Sequence, residues 1–355
     1  MYNTENAYFL AANSADGFVS YFNKNYSAEN GWRAIIIKGG PGTGKSRIMR
    51  GVAKSAANMG KFVTLCPCSS DPHSLDGVIL EDDKKIILDG TAPHIVEPMH
   101  PGICEEILNT GMFWNAEKLI EHRTEILAIM GENRNAHKKA SHYIAAAGQL
   151  LKSNFSICLA NTDLPKVFEF AAKLGAKHIT KGKGFKEQCR FLGGITPVGY
   201  VKLYGTVAPY KNKIIITDEH GAVSSVILSS IRDIAIKNGQ EIITVKNPVL
   251  PYEKTDAVIL PELNTVFIVE NKPHDLPFAE RRIHAERFIS NNQTALNRNR
   301  LQFNKKAAES LLANAVECLA EAKKIHDELE KYYVDAMDFN ALNKASNNII
   351  ADFVK

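Results

Sequence analysis

Short runs of apolar residues, separated by glycine turns and amphipathic stretches, dominate the first hundred positions and recur in the second half. Such runs are typical of buried strands. We predict strands at residues 9–12, 34–37, 62–65, 77–80, 86–88, 214–217, 241–245, 257–260 and 266–269. Apolar residues at helical spacing predict a helix over residues 45–59, with Gly60 as its stop. A strand, a glycine turn, a helix and a second strand form a βαβ unit, which predicts a parallel sheet.

Longer helical patterns follow each set of strands. We predict helices near residues 135–151 and 165–174, and again from residue 278 to the end of the chain. In the last region, apolar residues alternate at spacings of four and three, which predicts an antiparallel helical hairpin. These residues are Leu311, Ala315, Cys318, Ala322, Ile325 and Leu329. The lysine-rich stretch 177–186 is typical of a linker.

The two halves of the chain repeat one another. Residues 35–37 match residues 214–216 at an offset of 179, and the Pro-His pair at 93–94 recurs at 273–274, an offset of 180. A register kept over about eighty positions indicates an internal duplication. The predicted domains are residues 1–185, with a helical segment after the strands, and residues 186–355, with the helical hairpin at its end.

Residues 39–46 read GGPGTGKS and match the phosphate-binding pattern G-x-x-x-x-G-K-[ST] between a predicted strand and a predicted helix. The backbone N–H groups of such a loop and the positive end of the helix surround a triphosphate. We predict that Lys45 reaches the β- and γ-phosphates and that Ser46 ligates magnesium. The predicted ligands are therefore ATP and Mg²⁺. The predicted binding residues are Gly39, Gly40, Pro41, Gly42, Thr43, Gly44, Lys45, Ser46 and Arg47.

Asp89 ends the apolar run 86–88 and is followed by Gly90. An acid at the end of a buried strand beside a phosphate loop holds the magnesium ion, directly or through water. We therefore predict Asp89 as a second metal residue beside Ser46. The alternative is a turn aspartate, since Asp and Gly both favour turns. No glutamate follows Asp89, where many AAA-type hydrolases carry the acid that activates water, and this argues against a fast motor ATPase.

The segment CPCSSDPHSLD, residues 66–76, follows a predicted strand. Loops at the carboxyl ends of strands form the ligand crevice of open α/β sheets. Asp71, Ser74 and Asp76 are therefore candidates for binding a small-molecule acceptor, with Asp71 as a catalytic base. A capped turn explains the same residue types equally well. A metal site is also conceivable from Cys66, Cys68, His73, His94, His100 and Cys104, although their spacing fits no common zinc pattern.

The second half lacks the phosphate chemistry of the first. At an offset of 179, Asp218 and Glu219 replace Gly39 and Gly40, Val223 replaces Gly44, and Ser224 replaces Lys45. Val223 poorly tolerates the positive φ that a glycine adopts in such a loop. We expect this half to keep the fold as a regulatory or partner domain without binding a triphosphate. His94 is retained as His274 although the motif is lost, which favours a structural role for this histidine.

Four strings, GGPGTGKS, CSSDPHSLDGVI, ILDGTAPH and FLGGITPVGYV, together resemble a bacterial family of tandem P-loop proteins that are generally labelled ATPases or ATP-binding proteins. The resemblance spans nearly the whole chain. It implies ATP binding, ATP hydrolysis and an α/β fold of two P-loop NTPase-like parallel-sheet units, each followed by a helical segment. Family members often carry a second intact P-loop. The string TDEHGAVSS departs from that pattern, so two-site binding is not implied.

Three functions fit these observations. The first is a P-loop ATPase with magnesium-dependent hydrolysis in the first half. The second is a small-molecule or nucleotide kinase that uses the same loop. The third is a scaffold that binds ATP without turnover. The sequence indicates neither the acceptor, nor the pathway, nor the oligomeric state.

Composition changes this picture little. The chain has 355 residues, of which 45% are hydrophobic and 23% charged, as in ordinary globular proteins. Its formal net charge of +4 is too small to indicate nucleic-acid binding. We expect no membrane span, since no run of about 18 apolar residues occurs, and no signal peptide. Six scattered cysteines suit a reducing compartment, so we expect a cytoplasmic protein.

Overall fold

A computed structural model describes residues 6–272 and 275–355 of the chain, which form a mixed α/β structure. The first half comprises β1 (Ala11–Ser14), β2 (Gly17–Ser20), β3 (Arg33–Lys38), α1 (Lys45–Asn58), β4 (Thr64–Pro67), β5 (Leu75–Leu80), β6 (Lys85–Asp89), β7 (Glu105–Asn109), α2 (Ala116–Glu121), α3 (Arg123–Ala160) and α4 (Leu164–His178). The second half comprises β8 (Lys186–Arg190), β9 (Gly193–Thr196), β10 (Gly199–Lys202), β11 (Asn212–Thr217), α5 (Ala222–Lys237), β12 (Glu241–Lys246), β13 (Thr255–Leu260), β14 (Thr265–Glu270), β15 (Arg282–His284), α6 (Asn291–Ala336) and α7 (Phe339–Phe353).

Two main sheets contain corresponding strands in the same order. The first sheet runs β4-β5-β6-β3-β7, and the second runs β8-β12-β13-β14-β11-β15. In the first sheet β3 is parallel to β6 and β7, whereas β5 is antiparallel to β4 and β6. The second sheet repeats this mixture. The predicted parallel sheets are therefore only partly parallel, because the short loop 68–74 between β4 and β5 cannot hold the long crossover that parallel neighbours need.

The correspondence between the halves extends to strand register. Thr64 lies opposite Ile79 in the β4–β5 pair, as Ile243 lies opposite Ile259 in the β12–β13 pair. Both ladders shift register at the same distance beyond these residues. The predicted match of His94 with His274 falls on a residue outside the described ranges. The first and last residues of each predicted strand lie within two residues of the bounds of the corresponding strand in the structure.

The helical segments are exchanged between the halves. Helix α4 of the first half packs on α5, and its Val167 and Ala171 are buried in the core of the second sheet. Helix α7 of the second half packs on α1, and its Leu342 and Phe353 join the core of the first sheet. Each half therefore covers one face of the other's sheet.

The longest helices, α3 and α6, pack along each other and join the two halves. Their shared cluster includes Ala140 and Ile144 from α3 and Ala315 and Leu319 from α6. The predicted hairpin would pair two helices of the C-terminal region. It is wrong, because the apolar seam of α6 packs against α3 of the first half. The predicted helix from residue 278 onwards is wrong for residues 278–284, where a loop and β15 lie instead. Within the described ranges, no helix combines the length and apolar character that a membrane crossing requires.

Candidate functional site

A cavity of about 960 Å³ lies between the carboxyl edge of β3 and β6 and the paired helices α3 and α6. The glycine-rich loop contributes residues 41–47 to its wall. Gly39 and Gly40 are absent from that wall and pack elsewhere. A Cβ atom at Gly39 would meet Thr110, and one at Gly40 would meet the ring of Tyr333 on α6. Seven of the nine predicted nucleotide residues thus face the cavity, and two support the loop from behind.

The loop turns into α1 through two glycines with positive φ. Gly42 has φ of +66° and Gly44, the N-terminal cap of α1, has φ of +82°. These conformations cost a glycine little and strain other residues. The apolar face of α1, with Ile48 and Val52, is buried in the first core, so the helix is anchored with its N-terminus at the cavity. That end carries the partial positive charge that favours anions.

Lys45 and Asp89 meet at this helix end. The Lys45 ammonium donates hydrogen bonds to the carbonyl oxygens of Gly39 (3.1 Å) and Gly40 (2.7 Å), and its Nζ lies 3.6 Å from Oδ2 of Asp89. The other carboxylate oxygen of Asp89 accepts a hydrogen bond from the Thr91 N–H at 2.8 Å. Asp89 therefore closes the turn that was the alternative interpretation, and it also faces the lysine of the loop, whereas its role as a metal residue stays a prediction.

Ser46 and Thr43 are held in different ways. Oγ of Ser46 accepts a hydrogen bond from the Leu75 N–H at 3.0 Å, which leaves its hydroxyl proton and a lone pair for a further partner. Thr43 is buried and donates to the Gly40 carbonyl at 2.9 Å, so it stabilises the loop. Arg47 is exposed at the rim.

Asp71 is engaged in a turn on the same cavity wall. Its carboxylate accepts hydrogen bonds from the His73 N–H at 3.1 Å and from the Ser74 hydroxyl at 2.9 Å. Oδ2 also lies 3.4 Å from Nζ of Lys323 on α6. The capped-turn interpretation therefore describes its contacts within the loop. Asp71 additionally ties that loop to α6.

The helical wall of the cavity carries polar residues that sequence reasoning missed. Helix α3 contributes Arg134, His137 and Lys138, and α6 contributes Lys323, His326 and Glu330. Their spacing of three and four places each set on one helix face. That spacing was the available signal, but a solvated face produces the same pattern. Only the packing of α3 on α6 shows that these faces meet above the loop.

Glu330 makes the most direct contact between this wall and the loop. Oε1 of Glu330 accepts a hydrogen bond from the Gly42 N–H at 3.3 Å. His326 lies one turn away on α6, with its Nε2 3.4 Å from the same oxygen. The hydrogen bond with His326 is the main reason why the pKa of Glu330 lies below its ordinary value. A carboxylate of α6 thus accepts a hydrogen bond from one of the loop N–H groups that were predicted to bind phosphate.

Three donor groups converge beside the loop, namely the Cys68 thiol, the Asp76 carboxylate and the His94 imidazole. Nε2 of His94 lies 3.3 Å from Oδ2 of Asp76, and a ligand atom from each of the three residues lies within 4.8 Å of the other two. Burial raises the pKa of Asp76, and burial with the nearby Asp76 charge raises the pKa of Cys68 well above its usual range. Cys68 is therefore a neutral thiol here rather than a nucleophilic thiolate.

The metal set considered from the sequence does not assemble as a whole. Cys66 and Cys104 are buried in the apolar core, and His73 and His100 are exposed. Cys68 and His94 do meet, and Asp76 completes their group. The sequence predicted Asp76 as an acceptor-binding residue and not as a metal ligand. Its nearness to His94 arises only from sheet pairing, which the sequence pattern does not reveal.

In the second half, a carboxylate occupies the helix N-terminus. The Asp218 side chain accepts hydrogen bonds from the N–H groups of His220 (3.2 Å), Gly221 (2.9 Å) and Ser224 (2.8 Å). Gly221, with φ of +74°, caps α5, and Val223 lies inside the helix. The expected strain at Val223 is therefore wrong, because the connection is shorter and its left-handed residue is a glycine. Asp218 uses the N–H groups that would bind an anion, and the expected lack of a triphosphate site in this half stays a prediction.

No protein-family model, curated protein or solved structure matches this chain. The first half presents a helix N-terminus, a lysine, a serine hydroxyl and a carboxylate on one cavity wall, with Arg134, Lys138 and Lys323 on the helical wall opposite. This arrangement can bind an anion together with a divalent cation.

Proposed function

We propose that this chain is a P-loop NTPase that binds ATP with magnesium at loop 39–46 and hydrolyses it slowly. The observation that carries the proposal is the convergence of Lys45, Ser46 and Asp89 at the N-terminus of α1, on the wall of a cavity of about 960 Å³. Cavities that bind small ligands span about 300–1,000 Å³, so there is room for a nucleotide. In this proposal the two sheets are P-loop NTPase-like units, and the second is degenerate.

Each residue has a defined task in this proposal. The loop N–H groups and the end of α1 neutralise the phosphates, and Lys45 exchanges its loop carbonyls for β- and γ-phosphate oxygens. Ser46 and Asp89 supply the oxygen ligands that Mg²⁺ prefers, and the ion neutralises charge on those phosphates. Gly90, rather than a glutamate, follows Asp89, so a dedicated base for water is missing there, which supports slow turnover.

A second candidate is phosphoryl transfer to an anionic acceptor. Arg134, Lys138 and Lys323 line the cavity on its helical side, opposite the loop. These three cations add positive charge on the wall that faces the loop, which suits a second anionic ligand beside the triphosphate. Phosphate release in the absence of any added acceptor supports hydrolysis, whereas turnover that begins only when an anionic metabolite is added supports transfer.

The experiment is calorimetric titration of magnesium–ATP into the wild-type chain and into Lys45→Ala. We expect the substitution to weaken binding by tenfold or more, because a hydrogen bond to a charged group contributes about 1.5–3 kcal/mol. Lys54→Ala, an exposed lysine on the same helix, is the matched control and should bind as the wild type does. Equal affinity of Lys45→Ala and the wild type would contradict the proposal.

A further inference from the structure

We propose that Cys68, Asp76 and His94 form a binding site for a zinc-like transition-metal ion, separate from the proposed magnesium position. Their three ligand atoms lie within 4.8 Å of one another, at the junction of β4, β5 and the loop after β6. All three residues line the cavity. Sulfur, nitrogen and carboxylate oxygen are the donors that Zn²⁺ takes, whereas Mg²⁺ takes oxygens.

The spacing of the donors suits a tetrahedral ion. Zinc bonds of about 2.0–2.3 Å at tetrahedral angles place two ligand atoms roughly 3.6 Å apart. Nε2 of His94 and Oδ2 of Asp76 are 3.3 Å apart, so this edge is already near that length. Three protein ligands leave a fourth position open, as in catalytic rather than structural zinc sites. Because the residues line the cavity, the open position is accessible to a bound ligand.

The surroundings orient two of the three donors. The His94 ring packs between Phe18 and Phe22, with ring centroids 4.9 and 5.3 Å away. Its buried Nδ1 has no hydrogen-bond partner in the described part of the chain, so the ring orientation is set by these aromatic contacts and by the approach of Nε2 to Asp76. The Ser70 N–H donates to the sulfur of Cys68 at 3.4 Å, the kind of outer contact that orients a metal ligand.

The second half provides an internal comparison. By strand register, Asn247 corresponds to Cys68 and Asp256 corresponds to Asp76. The Asn247 amide donates to both oxygens of Asp256 at 3.1 Å, so the same place holds a satisfied amide–carboxylate pair without a sulfur. Both halves thus carry an aspartate at this position, and Cys68 adds a soft ligand in the first half alone.

The test is titration of the full-length, metal-free and nucleotide-free chain with Co²⁺, a spectroscopic substitute for Zn²⁺. We expect one cobalt per chain with a near-ultraviolet thiolate-to-cobalt absorption band, displaced by Zn²⁺ and unaffected by excess Mg²⁺. Cys68→Ser should abolish the band, and Asp76→Asn and His94→Gln should each weaken cobalt binding by tenfold or more. Cys189→Ser and Asp256→Asn are the matched controls and should leave both band and affinity unchanged.

Two results would overturn the proposal. One is a wild-type chain that shows no thiolate band at saturating cobalt, a result that does not depend on how any variant folds. The other is a band that persists in Cys68→Ser while thermal unfolding shows that variant to be folded. The titration contains no nucleotide, so its failure leaves the ATP proposal untouched, and failure of ATP binding leaves the cobalt result standing.

Discussion

At the residue scale, Asp89 shows how one side chain serves the fold and a candidate site together. Oδ1 closes the turn through the Thr91 N–H, and Oδ2 faces Lys45. The register of β6 on β3 sets Asp89 opposite Ile37, next to the strand that leads into the loop. The turn needs only an acceptor atom, whereas magnesium binding needs the negative charge.

This division predicts the behaviour of Asp89→Asn. The amide keeps an oxygen for the Thr91 N–H, so we expect the variant to fold with stability near that of the wild type. We expect turnover to fall by tenfold or more and its magnesium requirement to rise, while nucleotide binding changes less. Phosphate release measured across a magnesium titration tests this, and an unchanged profile would mean that Asp89 is a turn residue alone.

At the element scale, α6 both supports the loop and restricts it. A Cβ atom at Gly42 would lie 3.0 Å from the Glu330 carbonyl oxygen and 3.0 Å from Val334, so the helix touches the loop backbone. The Glu330 carboxylate takes the Gly42 N–H that a phosphate oxygen would need. Binding of a triphosphate therefore requires this carboxylate to give up its hydrogen bond.

The prediction from this contact concerns Glu330→Gln. Removing the charge eliminates repulsion between α6 and the phosphates, so we expect tighter binding of magnesium–ATP, by about threefold to tenfold, that is up to about 1.4 kcal/mol. Glu328→Gln removes the same charge from an exposed position on α6 and should change affinity little. Calorimetric titration of magnesium–ATP into the wild type and both variants measures these affinities. Weaker binding by Glu330→Gln would show that the carboxylate promotes nucleotide binding.

At the scale of the whole molecule, the duplicated plan is used asymmetrically. Both halves present a glycine-capped helix at the carboxyl edge of a sheet. In the second half Asp218 occupies that helix end from within the chain, and Lys305 on α6 pairs with Glu219 beside it. An added phosphate would displace a carboxylate bonded to three N–H groups and would meet like charge.

We therefore expect one ATP per chain. Calorimetry with magnesium–ATP should give a stoichiometry near one, and Lys45→Ala should remove most of the heat. The physical reason is that like charges held close together at low dielectric repel strongly. A stoichiometry near two would show that Asp218 can leave the end of α5 and that the second site is functional.

The halves are also joined by a buried ion pair. Arg190 of β8 is 1% exposed and pairs with Glu81 of the first half, while its Nε donates to Asn25 at 2.8 Å. Burial opposes the ionised form of Glu81, but Arg190 and Lys186 hold its pKa below the ordinary value. Because the folded pKa is lowered, this stabilisation is present above the unfolded pKa of glutamate and is lost as pH falls through the folded pKa.

Two consequences can be measured by denaturant unfolding. Arg190→Met removes the main partner of the half-buried Glu81 carboxylate and leaves it Lys186 and Gln188, so we expect a loss of up to about 3–5 kcal/mol of unfolding free energy at neutral pH. We also expect Glu81→Gln to lose less stability than the wild type between neutral and acid pH, since the linked proton is absent. Glu169→Gln, from an exposed ion pair on α4, is the control and should leave stability nearly unchanged, because exposed ion pairs contribute little.

The local features of this chain could be predicted from its sequence. The strands, the loop 39–46 and α1 depend on residues that are close together in the chain. Apolar runs mark buried strands, so the position of Asp89 at the end of β6 could be predicted as well. The repeat was equally visible, since corresponding apolar positions keep their spacing. The direction of β5 was not, because periodicity reports burial and gives no pairing partner.

The sequence by itself determined the α/β class, the position of the glycine-rich loop and the duplicated order of elements, because short-range spacing encodes them. Only the tertiary structure decided which helices cover which sheet, that Glu330 reaches Gly42, and that Cys68, Asp76 and His94 meet. These contacts join residues that are far apart in the chain. Their geometry depends on how whole faces pack, and many pairings satisfy the same hydrophobic pattern until one set of surfaces fits.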